Sequence, residues 1–358
     1  MTGAGPGSGP GGAPSAIALS PILSARYRAR DLERIREAAP GARLVTVSAE
    51  GLADGPLDDV EVMLRGWLSS EAFDRILARA PRLAWVHSAT SGVERALTPA
   101  ALERGLVVTN ARGVFSRPIA EYVLMMILAV SRKLPELLEL QRERTWQPLE
   151  GVELRDVTVG IVGLGSIGRS VAALASAFGC RVIAVRRHPS GEDATVPPGQ
   201  GGDSADGRDE EPPFAPDMLD RVGGPETLPA LLAESDFIVL AAPLTPETID
   251  LIDAEALAAV KPGAWIVNVA RGRLIDERAL LRALRDGSLG GAILDTFREE
   301  PLQPMSSFYD LPNVIVTPHT AWSSGRVLDR SVELFCDNLR RFAAGEPLRN
   351  IVDPTAGY

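Results

Sequence analysis

The chain has 358 residues, of which 45% are hydrophobic and 23% are charged, and its formal net charge is −10 at pH 7. This length and apolar content favour two domains with large buried cores over a single domain. The acidic balance argues against nucleic acid and against an anionic membrane surface as main partners, although a local basic site can still bind a small anionic substrate.

Residues 1–16 form a Gly- and Pro-rich stretch that lacks the basic start and apolar centre of a signal peptide. We expect a disordered leader there.

The two cysteines, Cys180 and Cys336, have no metal-ligand spacing, so neither a disulfide framework nor a metal site is indicated. The longest apolar run, from Tyr122 to Val130, is too short to span a bilayer. We therefore predict a cytoplasmic protein without a membrane partner.

From residue 17 to about residue 117, short apolar strands alternate with amphipathic helices. This alternation predicts one α/β domain with a parallel sheet and helices on its faces. An apolar helical segment follows, from Ser116 to Pro135. It has too many apolar residues for one stripe, which predicts burial between domains or against another subunit. Pro135 is expected to break or kink the segment.

The loop after the apolar strand L-A-W-V-H contains Ser91 and Gly92. Ligands of open α/β sheets bind beyond the carboxyl ends of the strands, so the backbone N–H groups of this loop are candidates to hold a carboxylate. An ordinary turn with Gly92 at positive φ explains the same residues equally well. His87, which ends the strand, is more typical of a structural histidine than of a catalytic one.

The segment from Thr158 to Gly168 reads T-V-G-I-V-G-L-G-S-I-G and is followed by an amphipathic run and a second apolar strand. Its glycines have G-x-G-x-x-G spacing. Gly163 suits a tight turn, Gly165 allows a pyrophosphate to approach the backbone, and Gly168 allows the helix to pack closely on the strand. The order strand, turn, helix, strand favours dinucleotide binding over a purely structural turn, because the helix N-terminus attracts phosphate.

Arg186 and Arg187 follow that second strand, where dinucleotide-binding folds usually have an acidic residue for the ribose 2′-OH. An arginine there pairs instead with a 2′-phosphate, which favours NADP(H) over NAD(H). A solvated basic loop is the alternative. The next stretch, from Pro189 to Pro216, is rich in Gly, Pro and acidic residues and is predicted to be a flexible insertion.

Three polar residues follow apolar strands after Thr227, where the βα alternation resumes: Arg271, Glu300 and His319. A guanidinium binds a carboxylate bidentately, an imidazole exchanges a proton near neutral pH, and a neighbouring carboxylate stabilises the protonated ring and fixes its tautomer. Together they would form a 2-keto acid reductase site. Taken singly, each is also an ordinary surface or structural residue.

Five motifs, in this order, resemble the D-2-hydroxyacid dehydrogenase family, which includes glyoxylate/hydroxypyruvate reductases, D-lactate dehydrogenase and phosphoglycerate dehydrogenase. They are V-G-I-V-G-L-G-S-I-G, P-L-T-P-E-T, V-N-V-A-R-G, L-D-T-F-R-E-E-P-L and T-P-H-T-A-W. The resemblance implies an α/β fold with a Rossmann dinucleotide-binding domain over residues 118–317. It also implies a flavodoxin-like α/β substrate domain over residues 17–117 and 318–358, with the active site in the cleft between the domains.

The resemblance further implies NAD(P)H-dependent reduction of a small 2-keto acid, of the glyoxylate or hydroxypyruvate type, to the D-2-hydroxy acid, and we predict a homodimer. Arg271 would bind the substrate carboxylate and carbonyl, His319 would act as general acid/base, and Glu300 would pair with His319. Asp295 would contact the nicotinamide carboxamide. The other predicted cofactor-binding residues are Gly163, Gly165, Ser166, Ile167, Gly168, Arg186, Arg187, Pro243, Thr248, Val269 and Ala270, and the predicted substrate-binding residues are Ser91, Gly92, Arg271 and Trp322.

Several features limit what the resemblance carries over. Arg186 stands where the family usually has an acidic residue, and the insertion is longer than usual. The chain ends at Tyr358 without a regulatory domain, so we expect the serine-biosynthetic member to be a poor match. Trp322 either narrows the substrate pocket or packs in the core. A non-enzymatic, dinucleotide-sensing scaffold, as in the corepressors that resemble this family, is the alternative function.

Overall fold

The computed structural model describes residues 11–22, 27–188 and 214–355. The described residues form two compact units, one that ends at Phe115 and resumes at Gly325, and one that runs from Ser116 to Ser324. The boundaries predicted from the sequence are 117/118 and 317/318. Residues 1–10 of the predicted leader and 189–213 of the predicted insertion lie outside the described residues.

The first unit contains a five-stranded parallel sheet in the order β2-β1-β3-β4-β5. This is the flavodoxin-like order, which confirms the predicted fold class. Numbered along the whole chain, its strands are β1 (Ala16–Leu19), β2 (Arg43–Thr46), β3 (Val60–Arg65), β4 (Trp85–Ser88) and β5 (Val107–Thr109). Its helices are α1 (Ala29–Ala38), α2 (Ser70–Arg79), α3 (Pro99–Glu103) and α10 (Val327–Ala344).

The C-terminal helix α10 belongs to this first unit because its apolar face is buried there. Its aromatic side chains Phe335 and Phe342 each lie 5.5 Å, centroid to centroid, from the ring of Trp85 on β4. All three side chains are buried. Burial of such large side chains stabilises the packing of α10 on the sheet by several kcal/mol, at roughly 25 cal/mol per Å² of apolar surface.

The second unit contains a seven-stranded parallel sheet in the order β12-β11-β10-β9-β6-β7-β8. Read from β8, this is the Rossmann strand order 3-2-1-4-5-6 with one further strand, as predicted. Its strands are β6 (Thr158–Val162), β7 (Arg181–Val185), β8 (Arg221–Gly223), β9 (Phe237–Leu240), β10 (Trp265–Asn268), β11 (Gly291–Leu294) and β12 (Val314–Val316). Its helices are α4 (Ser116–Ser131), α5 (Leu134–Arg142), α6 (Ser166–Ala177), α7 (Leu228–Glu234), α8 (Ala254–Ala258) and α9 (Glu277–Asp286).

The apolar segment that Pro135 was expected to break or kink consists of two helices, α4 and α5. The break lies at Lys133, which has a left-handed φ of 59°. Pro135 sits in the first turn of α5, where its missing N–H has no helical partner to lose. It therefore starts the second helix and does not kink the first.

Within the described part of the chain, no helix combines the length and the apolar character needed to cross a membrane.

Candidate active site

The turn between β6 and α6 contains two glycines that are required by close backbone packing. Gly163 has a φ of 100°, and a Cβ there would stand 2.6 Å from the amide nitrogen of Ala242. A Cβ on Gly168 would stand 2.1 Å from the carbonyl oxygen of Gly163. Either contact is too short for a side chain, so both positions need glycine.

Gly165, between them, is different because a Cβ there would meet no atom within 4 Å. It is exposed and immediately precedes the N-terminus of α6, flanked by the half-buried Ser166 and Ile167. The turn therefore leaves open space at a helix end whose free N–H groups favour an anion. This shape and this polarity fit the pyrophosphate of a dinucleotide.

Arg186 and Arg187 lie just beyond the carboxyl end of β7. The N–H of Arg186 donates to the carbonyl of Gly223 on β8 at 3.0 Å, while Arg187 is exposed. The positive charge of Arg187 acts on Glu247 of a neighbouring loop. The pKa of Glu247 is lowered mainly by a hydrogen bond with Thr245, and the charge of Arg187 adds to this effect. The two arginines thus bring positive charge to the edge of the sheet where the glycine turn lies, which fits a phosphate on the ribose.

The P-L-T-P-E-T loop is closed by its own hydrogen bonds. The hydroxyl of Thr248 donates to the carbonyl of Pro243 at 2.8 Å and accepts the N–H of Thr245 at 2.7 Å. Thr248 therefore shapes the loop, and the predicted contact of Pro243 and Thr248 with the cofactor stays a prediction.

Arg271 is presented by a turn that Asn268 holds, a residue that the sequence analysis missed. Asn268 ends β10 and is buried, and its Nδ2 donates to the carbonyl of Arg271 at 2.9 Å. Its Oδ1 accepts the N–H of Ala270 at 3.1 Å, and Val269 and Ala270 between them are buried. The available signal was an Asn at the end of an apolar strand, three positions before Arg271 in the V-N-V-A-R-G motif.

His319 and Glu300 form a hydrogen-bonded pair. The imidazole Nδ1 lies 2.8 Å from Oε2 of Glu300, and the two side chains are 42% and 36% exposed, respectively. Oε1 of Glu300 accepts the N–H of Phe297 at 3.0 Å. The pair is thus fixed on one side by backbone and is open enough on the other for a ligand to reach it.

Electrostatics connect this pair to Arg271. Partial burial opposes ionisation of Glu300, but the hydrogen bonds from His319 and Phe297 and the charges of His319 and Arg271 outweigh it and lower the pKa of Glu300. The structure therefore brings the three residues predicted from separate strand ends to one edge of the sheet. Arg271 is half-buried, and its guanidinium donates to the carbonyl of Ala270 at 2.8 Å.

Asp295 and Trp322 both hold the turn that carries His319. The carboxylate of Asp295 is buried and accepts the N–H groups of Thr320 and Ala321 at 2.8 and 2.9 Å. The indole Nε1 of Trp322 donates to the carbonyl of His319 at 2.8 Å, and the side chain is only partly buried. The side chain of Trp322 is therefore partly packed against the protein and partly accessible to solvent.

Ser91 and Gly92 lie in the first unit, in a half-buried loop. The carbonyl of Ser91 accepts Nδ2 of Asn110 at 3.0 Å, and that of Gly92 accepts the hydroxyl of Thr90 at 2.7 Å. The neighbouring His87 is fully buried, and its Nδ1 lies 2.7 Å from the hydroxyl of Thr109. Burial lowers the pKa of His87 to about 3, which agrees with a structural histidine.

Among residues 11–22, 27–188 and 214–355, no group of three or more His, Cys, Asp or Glu is arranged to hold a metal ion.

Sequence comparison relates the chain to known enzymes. The model of the D-isomer specific 2-hydroxyacid dehydrogenase NAD binding domain matches residues 124–201 and 214–321. D-3-phosphoglycerate dehydrogenase of Mycobacterium tuberculosis is 37% identical over 284 residues, which cover 79% of this chain and 49% of that protein. Glyoxylate reductase of Korarchaeum cryptofilum is 31% identical over 332 residues, which cover 90% of each chain. The chain thus spans about half the length of the phosphoglycerate dehydrogenases that it matches.

Solved structures give the same relationship. A D-isomer specific 2-hydroxyacid dehydrogenase from Xanthobacter autotrophicus, in complex with NADPH and MES, superposes with a TM-score of 0.79 at 31% identity, covering 97% of this chain and 100% of that one. An NADPH-dependent glyoxylate/hydroxypyruvate reductase from Sinorhizobium meliloti, in complex with NADP and sulfate, has a TM-score of 0.77 at 27% identity, covering 96% and 100%.

Proposed function

The chain belongs to the D-isomer specific 2-hydroxyacid dehydrogenase family, and from this premise we propose that it reduces a small 2-keto acid to the D-2-hydroxy acid with NAD(P)H. The observation that carries this proposal is the 2.8 Å contact between His319 and Glu300 beside Arg271, in the unit that contains the glycine turn. The bound nicotinamide supplies or accepts the hydride. Arg271 supplies substrate binding and His319 supplies the proton.

Arg271 binds the substrate carboxylate and polarises the carbonyl, because a guanidinium presents paired donors to oxygen atoms. His319 uses Nδ1 for Glu300, which leaves Nε2 to give a proton to the carbonyl oxygen. Glu300 stays ionised and stabilises the imidazolium until the transfer occurs. In the oxidative direction the same nitrogen accepts the proton of the substrate hydroxyl. The binding roles of Ser91, Gly92 and Trp322 remain predictions.

NADP(H) is the preferred cofactor in this proposal. Arg186 takes the position of the acidic residue that would bind a ribose 2′-OH, and Arg187 adds a second positive charge at the end of β7. The relatives from X. autotrophicus and S. meliloti were crystallised with NADPH and with NADP, which supports the same choice. The carboxylate of Asp295 accepts three donors of the His319 turn, and its contact with the nicotinamide carboxamide remains a prediction.

A substrate of the glyoxylate or hydroxypyruvate type is proposed because the chain covers 90% of a glyoxylate reductase and 100% of a glyoxylate/hydroxypyruvate reductase of known structure. The expectation that the serine-biosynthetic member is a poor match was wrong for the covered part, because phosphoglycerate dehydrogenases are 37% identical to this chain over about half of their own length. For this reason 3-phosphoglycerate is the competing substrate to test.

The proposed active form is a homodimer. Apolar side chains are exposed on α4, α5 and the segment after them, namely Met125, Leu134, Leu138 and Trp146. Burial of such a surface is a driving force for association. Sedimentation velocity should show a dimer for the unmodified chain and a monomer for Leu138→Glu. Leu52→Glu, which changes an exposed leucine of the first unit, should leave the dimer intact. A Leu138→Glu dimer of unchanged stability would contradict this assignment.

The activity is tested by the absorbance of reduced nicotinamide, with NADPH and NADH each run against glyoxylate, hydroxypyruvate, pyruvate and phenylpyruvate, and with NADP against 3-phosphoglycerate. We expect turnover of glyoxylate or hydroxypyruvate, faster with NADPH. Turnover with NADH alone would overturn the cofactor assignment and leave the reaction in place. Tight dinucleotide binding without turnover of any acid would favour the scaffold function.

A further inference from the structure

The turn that carries His319 has an unfavourable backbone conformation. His319 has a φ of 50°, in the left-handed region that residues other than glycine rarely adopt. Its N–H donates to the carbonyl of Asp295 at 2.8 Å. Such a conformation persists only where surrounding contacts determine it, so the groups that hold this turn also determine where the imidazole lies.

The main holding group is the carboxylate of Asp295, which is only 1% exposed. Its Oδ1 accepts the hydroxyl of Thr317 at 2.6 Å and the N–H of Thr320 at 2.8 Å, and its Oδ2 accepts the N–H of Ala321 at 2.9 Å. These donors lie on both sides of His319 in the chain. The carboxylate thus ties the two ends of the turn together.

A phenol from helix α4 extends this network. The hydroxyl of Tyr122 lies 2.7 Å from that of Thr317. Thr317 has a single hydroxyl proton and donates it to Asp295, so it must accept the proton of Tyr122. Burial raises the pKa of Tyr122 to about 12, and the charge of Asp295 contributes to the rise. The phenol is therefore protonated near neutral pH and donates to Thr317.

We propose that Tyr122 is a positioning residue for His319, acting through Thr317 and Asp295. The inference rests on the proposed function, because it concerns the placement of the group that transfers the proton. Without the phenol, Thr317 loses the partner that orients its hydroxyl toward Asp295, and the turn gains freedom. Since a general acid must keep hydrogen-bond distance to the reacting oxygen, a small displacement lowers turnover more than it lowers binding.

The kinetic test compares Tyr122→Phe, Thr317→Val and their combination, with Thr317→Ser as the variant that keeps the hydroxyl. We expect Tyr122→Phe and Thr317→Val each to lower kcat about 10-fold, with the KM for NADPH unchanged. The double variant should be no slower than Thr317→Val, because both changes break one chain of hydrogen bonds. Thr317→Ser should retain most of the activity.

The matched control is Tyr309→Phe, which removes an exposed phenol of the same unit. It should leave kcat unchanged. A purely structural role of Tyr122 would lower the melting temperature without moving the alkaline limb of the pH–rate profile. In the positioning role that limb shifts to lower pH, because Glu300 holds a displaced imidazolium less well. Unchanged kcat in Tyr122→Phe, or an equal loss in Tyr309→Phe, would overturn the proposal.

A second readout does not depend on catalysis. The chain has three histidines, His87, His188 and His319, so their ring Cε1–H signals can be assigned by substitution in an NMR spectrum. Tyr122→Phe should move the His319 signal and leave that of the exposed His188 in place. An inactive unmodified enzyme with this shift would refute the proposed function alone. An active enzyme without the shift would refute the positioning role alone.

Discussion

The imidazole of His319 and the carboxylate of Glu300 lie 2.8 Å apart, although 19 positions separate them in the chain. Removal of the imidazole should abolish proton transfer and leave dinucleotide binding almost intact, because the glycine turn is built from other residues. His319→Gln is expected to lower kcat by about 10²–10⁴-fold. Steady-state kinetics and NADPH fluorescence titration check the two parts. Unchanged turnover would remove His319 from the mechanism.

Replacement of Glu300 by Gln should change the pH dependence of the reaction. The pKa of Glu300 is lowered, so its carboxylate is charged throughout the neutral range and stabilises the imidazolium. Gln has no charge, so the general acid loses the electrostatic partner that stabilises its protonated form. The alkaline limb of the kcat/KM profile for keto acid reduction should therefore move to lower pH. Glu299→Gln, at the exposed neighbouring carboxylate, should leave the limb in place.

Two glycines of the phosphate turn should respond differently to the same substitution. Gly165→Ala fits the fold, because its Cβ meets no atom within 4 Å, but it occupies the space proposed for the pyrophosphate. We expect an unchanged melting temperature and an affinity for NADPH that falls about 10-fold or more, by loss of close backbone approach. Gly168→Ala should instead lower the melting temperature, because its Cβ would stand 2.1 Å from the carbonyl oxygen of Gly163. Equal NADPH affinity of Gly165→Ala and the unmodified chain would contradict the site.

Cofactor preference should depend on Arg186. Arg186→Asp is expected to weaken NADPH binding by about 1–3 kcal/mol more than NADH binding, through loss of a charge-assisted pair with the 2′-phosphate. Arg181→Asp, at the opposite end of β7, is the matched control and should leave the preference unchanged. Equal losses for both cofactors in Arg186→Asp would show that this arginine only steadies its loop.

Acid should destabilise the fold through His87. Burial lowers its pKa to about 3, against about 6.5 in an unfolded chain. Between these values the unfolded state binds a proton that the folded state does not, so the free energy of unfolding falls with falling pH. The decrease reaches about 1.4 kcal/mol per pH unit. Urea unfolding of His87→Gln between pH 6 and 4 should show a slope smaller by about that amount. An unchanged slope in His87→Gln would show that His87 does not cause this loss of stability.

Local sequence pattern predicted most of the fold. Alternating apolar strands and amphipathic helices indicated two parallel sheets, and the structure has them in the flavodoxin-like and Rossmann orders. The strand β8 was missed because its three residues, R-V-G, carry no apolar run and form a strand only by pairing with β7. The division between α4 and α5 depends on the backbone of Lys133, which no pattern of apolar residues indicates.

The sequence by itself determined the two sheets, the glycine turn and the strand ends at which Arg271, Glu300 and His319 lie. Periodicity and glycine spacing are local properties, and parallel strands necessarily bring their carboxyl ends to one edge. Only the tertiary structure decided that Asn268 shapes the Arg271 turn and that Tyr122 reaches Thr317, 195 positions away. Those hydrogen bonds depend on how distant segments pack, and a side chain shows its partner only when the packing is known.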